Sequence, residues 1–163
     1  MPKLSFADPL PVGMVGLNEV LFVRIRAEMS GDDVIRRMNQ ELPDGLSMHS
    51  CELVTEKHAL RGSDVDMYTV LLPEGKFNRQ RLEQFLQSKQ MEFHYSNKKG
   101  VSKTIDLKRV ILSIDLIKPN RLQLSIRNHG GKRIRPAMVL KRDFDLPDDQ
   151  IKLAAIIKGD LHV

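Results

Sequence analysis

The sequence predicts an α+β fold built as two ferredoxin-like sandwich units side by side, the first incomplete. Two observations lead there. Alternating strand-like stretches are broken by three segments with helix start signals, and the second half orders them β-α-β-β-β-β-α-β. The composition, 41% hydrophobic and 29% charged, is that of a chain with a core to bury.

The elements follow in order. Asp8-Pro9-Leu10-Pro11-Val12-Gly13 is extended, because each proline biases the residue before it away from helix. A strand is expected over Glu19–Ala27, with Leu21, Val23 and Ile25 on one face. Ser30 then starts a helix, with Asp33 three residues on in a capping-box-like arrangement. Val34, Ile35, Met38 and Leu42 form its apolar stripe, Pro43-Asp44-Gly45 stops it, and Leu46–Val54 alternates as a returning strand. The polar, aperiodic stretch from Thr55 to Asp64 marks a boundary, leaving a partial unit over 1–60 and a second over 61–163.

In the second half Val65–Leu72 reads as a strand and Pro73-Glu74-Gly75 as a turn. Asn78 caps a helix; Phe77 can staple onto Leu82, and Phe85 and Leu86 complete the buried face. Met91, Phe93 and Tyr95 alternate as a strand that turns at Asn97-Lys98-Lys99-Gly100 into a partner with Val101, Lys103 and Ile105 on one face. Val110–Lys118 and Arg121–Arg127 form two more strands around Pro119-Asn120. Gly130-Gly131 opens a basic loop, Pro136 suits the first turn of a helix running to Arg142, and Ile151–Lys158 is a final strand.

Charge is the strongest signal. Residues 1–60 carry six Lys/Arg against nine Asp/Glu, and residues 61–163 carry twenty against twelve, which together give the net +5. Within 97–142, thirteen basic residues face two acidic ones, Asp106 and Asp115, a local net of +11. The candidate nucleic-acid-binding residues are Lys98, Lys99, Lys103, Lys108, Arg109, Arg127, Lys132, Arg133 and Arg135. Arginine forks suit phosphate bidentately, whereas a row of lysines alone would also serve to keep a sheet edge solvated. Aromatic interleaving is sparse, with Tyr95 the residue placed to stack on a base.

Catalytic and cofactor patterns are not legible, so no cofactor is expected and the chain is not expected to be catalytic on its own. Cys51 is the single cysteine and reads as a packed thiol; it allows no intramolecular disulfide and no Cx₃CxxC cluster site. The histidines, His49, His58, His94, His129 and His162, show no metal-ligand spacing. His129-Gly130-Gly131-Lys132-Arg133 could free backbone N–H groups for an anion, yet it lacks the strand–loop–helix spacing of a nucleotide fingerprint. No run approaches the roughly 20 apolar residues of a membrane span, and Met1–Phe6 does not read as a signal peptide. A cytoplasmic location is expected.

Four stretches resemble the radical SAM-linked family of uncharacterised domains. They are Pro2–Gly13, Leu42-Pro43-Asp44-Gly45-Leu46, Lys99–Lys108, and Arg135-Pro136 with Val139-Leu140-Lys141. They occur in the family's order and are spread along nearly the whole chain, from Pro2 to Lys141. Members of that family are fused to, or encoded beside, radical SAM enzymes. The resemblance therefore implies an accessory role on RNA in a reaction carried by another polypeptide. The sequence departs from the family's pattern in places: Arg109 stands where a proline is usual, and Leu153 lies where an arginine is expected. The family's first strand and helix, which should precede Pro2, read as missing.

The function expected is thus an accessory RNA-binding module working with a separate radical SAM enzyme, with RNA modification as the process. The alternatives are a non-catalytic subunit of a composite active site and a basic protein-docking module. A homodimer is expected as well, since missing elements would leave an unpaired edge beside the Glu19–Ala27 strand and uncover Leu21, Val23 and Ile25.

Overall fold

The computed structural model describes residues 3–26, 28–54, 64–96, 102–128 and 134–159. Its backbone divides into two compact units, Met1–Pro9 with Glu19–Gly62, and Leu10–Asn18 with Ser63–Val163.

In the smaller unit β1 (Lys3–Phe6) pairs antiparallel with β3 (Leu21–Arg24), from Lys3↔Arg24 to Phe6↔Leu21. The expected strand over 19–27 is therefore shorter, and one of its edges is occupied rather than bare. The helix α1 (Gly31–Glu41) begins as its sequence signals: the Ser30 hydroxyl accepts from the Asp33 amide and donates to the Asp33 carboxylate. Its Val34 is buried, with Ile35, Met38 and Leu42 half-buried beside it.

The returning strand expected over 46–54 does not form. Asn39 takes up both backbone groups of Met48, donating from Nδ2 to its carbonyl at 3.0 Å and accepting from its amide at 2.7 Å. A side chain thus satisfies groups that a ladder would have used. Leu46 and Leu53 are 62% and 95% exposed, so the apolar alternation buries neither leucine. A β-carbon on Gly31 would stand 2.7 Å from the Cys51 carbonyl oxygen, which is why a residue without one opens α1.

The larger unit is organised by a five-stranded sheet in the order β2-β9-β4-β8-β7, made of Met14–Gly16, Ala155–Lys158, Val65–Leu71, Arg121–Arg127 and Ile111–Lys118 respectively. β4 pairs with β8 over its whole length, Val65↔Arg127 to Leu71↔Arg121, and β9 lies antiparallel on its other side. Alternation works here as the pattern demands: Tyr68, Val70, Leu122, Leu124, Ile126, Ile114 and Ile156 enter one core. Two helices, α2 (Arg79–Gln87) and α4 (Pro136–Asp143), add Leu82, Phe85, Val139 and Leu140 to that core. Phe77 and Phe144 meet edge-to-face at 5.2 Å. Leu86, expected on the buried face of α2, is 55% exposed, so the stripe is narrower than its spacing allowed.

Three elements of this unit differ from the sequence reading. β2 forms just after the proline-punctuated segment, by parallel pairing with β9, a partner about 140 residues away that no local pattern announces. Leu107–Val110 (α3) is a single helical turn that the reading did not assign and that takes only Val110 from the expected strand; the Asp106 carboxylate caps it by accepting from the Lys108 amide. Asp148–Leu153 (α5) takes residues assigned to the last strand; Pro147 sets its entry, and Asp148 and Asp149 favour its first turn. Glu92–Ser96 (β5) and Ser102–Asp106 (β6) form a separate two-stranded ribbon. The whole is α+β. Among the described residues no helix is long and apolar enough to cross a membrane.

Candidate nucleic-acid interface

The end of the large sheet where β8 finishes gathers several candidate residues. Arg127 pairs with Val65 at the start of β4, and the next amide, Asn128, donates to the Asp64 carbonyl at 2.8 Å. Ile111 pairs with Ile126, so α3, directly before β7, adjoins this same end and brings Arg109 to it. A buried ion pair stiffens the strands here, with Lys158 Nζ 3.8 Å from the carboxylate of Asp66, which also accepts from Asn128.

The candidate cations divide into distinct environments. Arg109 is 85% exposed, and its contact with Asp106 is a loose 3.7 Å pair that leaves the guanidinium available. Arg127 and Arg135 are exposed and bracket the connection from β8 to α4. Lys132 and Arg133 on that connection, and Lys98 and Lys99 between β5 and β6, lie outside the described residues. Lys103 takes the register position opposite Tyr95 in the β5–β6 ribbon.

Lys108 is placed differently. Its ammonium donates to the Phe85 carbonyl at 3.1 Å and the Leu86 carbonyl at 3.4 Å, and stands 4.4 Å over the Phe85 ring. A cation on the last carbonyls of a helix meets their partial negative charge. Two of its three donors are thereby committed to holding the end of α2. Nothing in the sequence links position 108 to a helix that ends at Gln87.

The acidic residues of the basic run also have defined places. Asp106 Oδ1 accepts from the amides of Met91 and Lys108, closing the base of the β5–β6 ribbon and capping α3. Asp115 is exposed on β7, opposite Gln123. His94 lies on the reverse face of the ribbon from Phe93 and Tyr95, where its Nδ1 stands 2.8 Å from the Thr104 hydroxyl. Among the described residues no three His, Cys, Asp or Glu side chains are grouped to hold a metal ion.

One group escaped the sequence reading altogether. Asp143, last residue of α4, is 3% exposed, and neither of its carboxylate oxygens has a hydrogen-bond partner among the described residues. Burial pushes its pKa up to about 6, while the charges of Arg142 and Lys108 pull it back down. The sequence Lys141-Arg142-Asp143 looks like a solvated helix end, so no signal was there to find.

The family model described as "Uncharacterized protein conserved in bacteria (DUF2344)" matches residues 1–136. The chain belongs to that family. Every candidate cation from Lys98 to Arg135 falls within the matched DUF2344 region, whereas Asp143, α5 and β9 lie beyond it. Comparison with curated proteins and with solved structures finds no match to this chain.

Proposed function

We propose that this chain is an accessory RNA-binding module that holds RNA through its phosphate backbone for a separate radical SAM enzyme. One observation carries the RNA part: exposed Arg109, Arg127 and Arg135 within a run of net charge +11 whose acidic Asp106 is spent on backbone amides. Counterion release favours such a surface for polyanions and makes binding salt-dependent. The order β9-β4-β8-β7, with α2 and α4 following β4 and β8, supports a ferredoxin-like reading of the larger unit. The radical SAM partner rests on the resemblance of Lys99–Lys108 and its companion stretches. Self-association through the smaller unit belongs to the same reading, supported by Leu4 and Phe6 on β1, 56% and 61% exposed. Light scattering at high concentration tests that part, and a monomer mass would remove it.

Filter binding of a mixed RNA pool at low and moderate salt tests the main reading. Retention at low salt that falls steeply with added salt is expected. No retention at low salt would overturn it. Replacing Arg109, Arg127 and Arg135 together with Ala should weaken binding to all sequences alike and reduce the salt slope by about 2.

A further inference from the structure

The larger unit contains six aromatic residues, and five of them are accounted for by packing. Tyr68, Phe77, Phe85 and Phe144 are buried in the core, and Phe93 packs against it from β5. Tyr95 is the one left over. It stands two residues farther along β5, part-exposed, with its ring offset-stacked on Phe93 at 6.2 Å between centroids and 22° between planes. Phe93, itself part-buried against the core, backs the ring on one side. Lys103 occupies the register position across the ribbon. The reverse face is polar and already engaged, with His94 against Thr104 and 3.8 Å from Glu92.

We infer that Tyr95 is a stacking platform for an unpaired base, and that the RNA taken by this protein is single-stranded. The inference rests on the RNA-binding reading above and narrows its ligand. An aromatic ring backed by a packed neighbour and beside cationic sequence gains free energy from a base whose π-face is free, and every base has such a face. In a duplex those faces are covered by neighbouring base pairs, so Tyr95 contributes nothing to duplex binding. Phosphate contacts from the basic run then supply affinity to either form, and the tyrosine supplies the preference.

The chain has no tryptophan and two tyrosines, of which Tyr68 is 5% exposed in the core and out of a ligand's reach, so a ligand-induced change in tyrosine emission, corrected for absorption by the RNA, reports on Tyr95. The full chain is titrated with a mixed-sequence single-stranded RNA and with an RNA duplex of equal phosphate number, following emission and the anisotropy of labelled RNA. Emission should be quenched by the single strand and unchanged by the duplex. Tyr95→Leu should weaken single-strand binding about 5- to 150-fold, leave the salt slope unchanged and leave duplex binding as it was. Tyr95→Phe, which keeps the ring, should restore binding to within about twofold of the parent. Binding of the single strand without quenching, or equal loss of both ligands in Tyr95→Leu, overturns the stacking inference while the phosphate-binding reading stands. Failure of the parent protein to bind either RNA at low salt overturns both.

Discussion

Asp143 closes α4 with both carboxylate oxygens buried and, among the described residues, no hydrogen bond to either. Its pKa in the folded chain is pushed up to about 6 from 3.8. A raised folded-state value means that the folded protein prefers the neutral acid. The associated stability is fully present below about pH 4 and is lost as pH rises through 6, a loss on the order of 1–3 kcal/mol. Urea midpoints measured from pH 4 to pH 7.5 should therefore fall more in the parent than in Asp143→Asn, which cannot ionise. Parallel curves for the two proteins would show that Asp143 does not titrate in this range. Lys108 is coupled to the same group, since its charge lowers the Asp143 pKa while its ammonium holds the end of α2. Lys108→Met should move the Asp143 carboxyl titration further up, read by NMR, and should weaken α2 by about 1 kcal/mol. Neither role was legible in the sequence. A buried charge is recognised by what surrounds it, and Phe85, Leu86 and Asp143 are distant from Lys108 along the chain.

At the scale of elements, helix starts were the most legible features. Ser30, Asn78 and Pro136 each open a helix as their chemistry requires, the first two by accepting backbone amides and the third by its preset φ. Segments whose state depends on a distant partner were not legible. Residues 46–54 alternate like a strand, yet the Asn39 side chain takes the Met48 backbone groups and the stretch lies beside α1. Asn39→Ala should cost about 1–2 kcal/mol in the smaller unit, because two hydrogen bonds are lost at once. Denaturant unfolding followed by helix signal checks it, and an unchanged midpoint would mean that the Asn39 clasp holds nothing. Gly31→Ala should be worse than helix propensity suggests. Propensity favours alanine by about 1 kcal/mol, but the new β-carbon would stand 2.7 Å from the Cys51 carbonyl oxygen and must displace backbone. Net destabilisation in the same assay is the expected outcome.

Over the whole molecule, charge and hydrophobic patterning carried the reading furthest. The asymmetry between an acidic start and a basic remainder is a property of composition, and no arrangement of the chain can remove it. The alternation that places Tyr68, Val70, Leu122 and Leu124 in one core is equally local, because successive strand residues must face opposite sides. The sequence by itself therefore determined the α+β class, the main strands β4, β7 and β8, the caps of the principal helices and the basic charge balance on which the proposed RNA binding rests. Tertiary structure decided the rest. It recruited Met14–Gly16 to the sheet through β9 and turned residues 148–153 into helix. It fastened Lys108 to α2, drew Asp143 out of water, and left Tyr95 as the aromatic of the larger unit outside the core. Each of those outcomes depends on which groups meet across a fold, and pairing over long sequence separations leaves no mark on local periodicity.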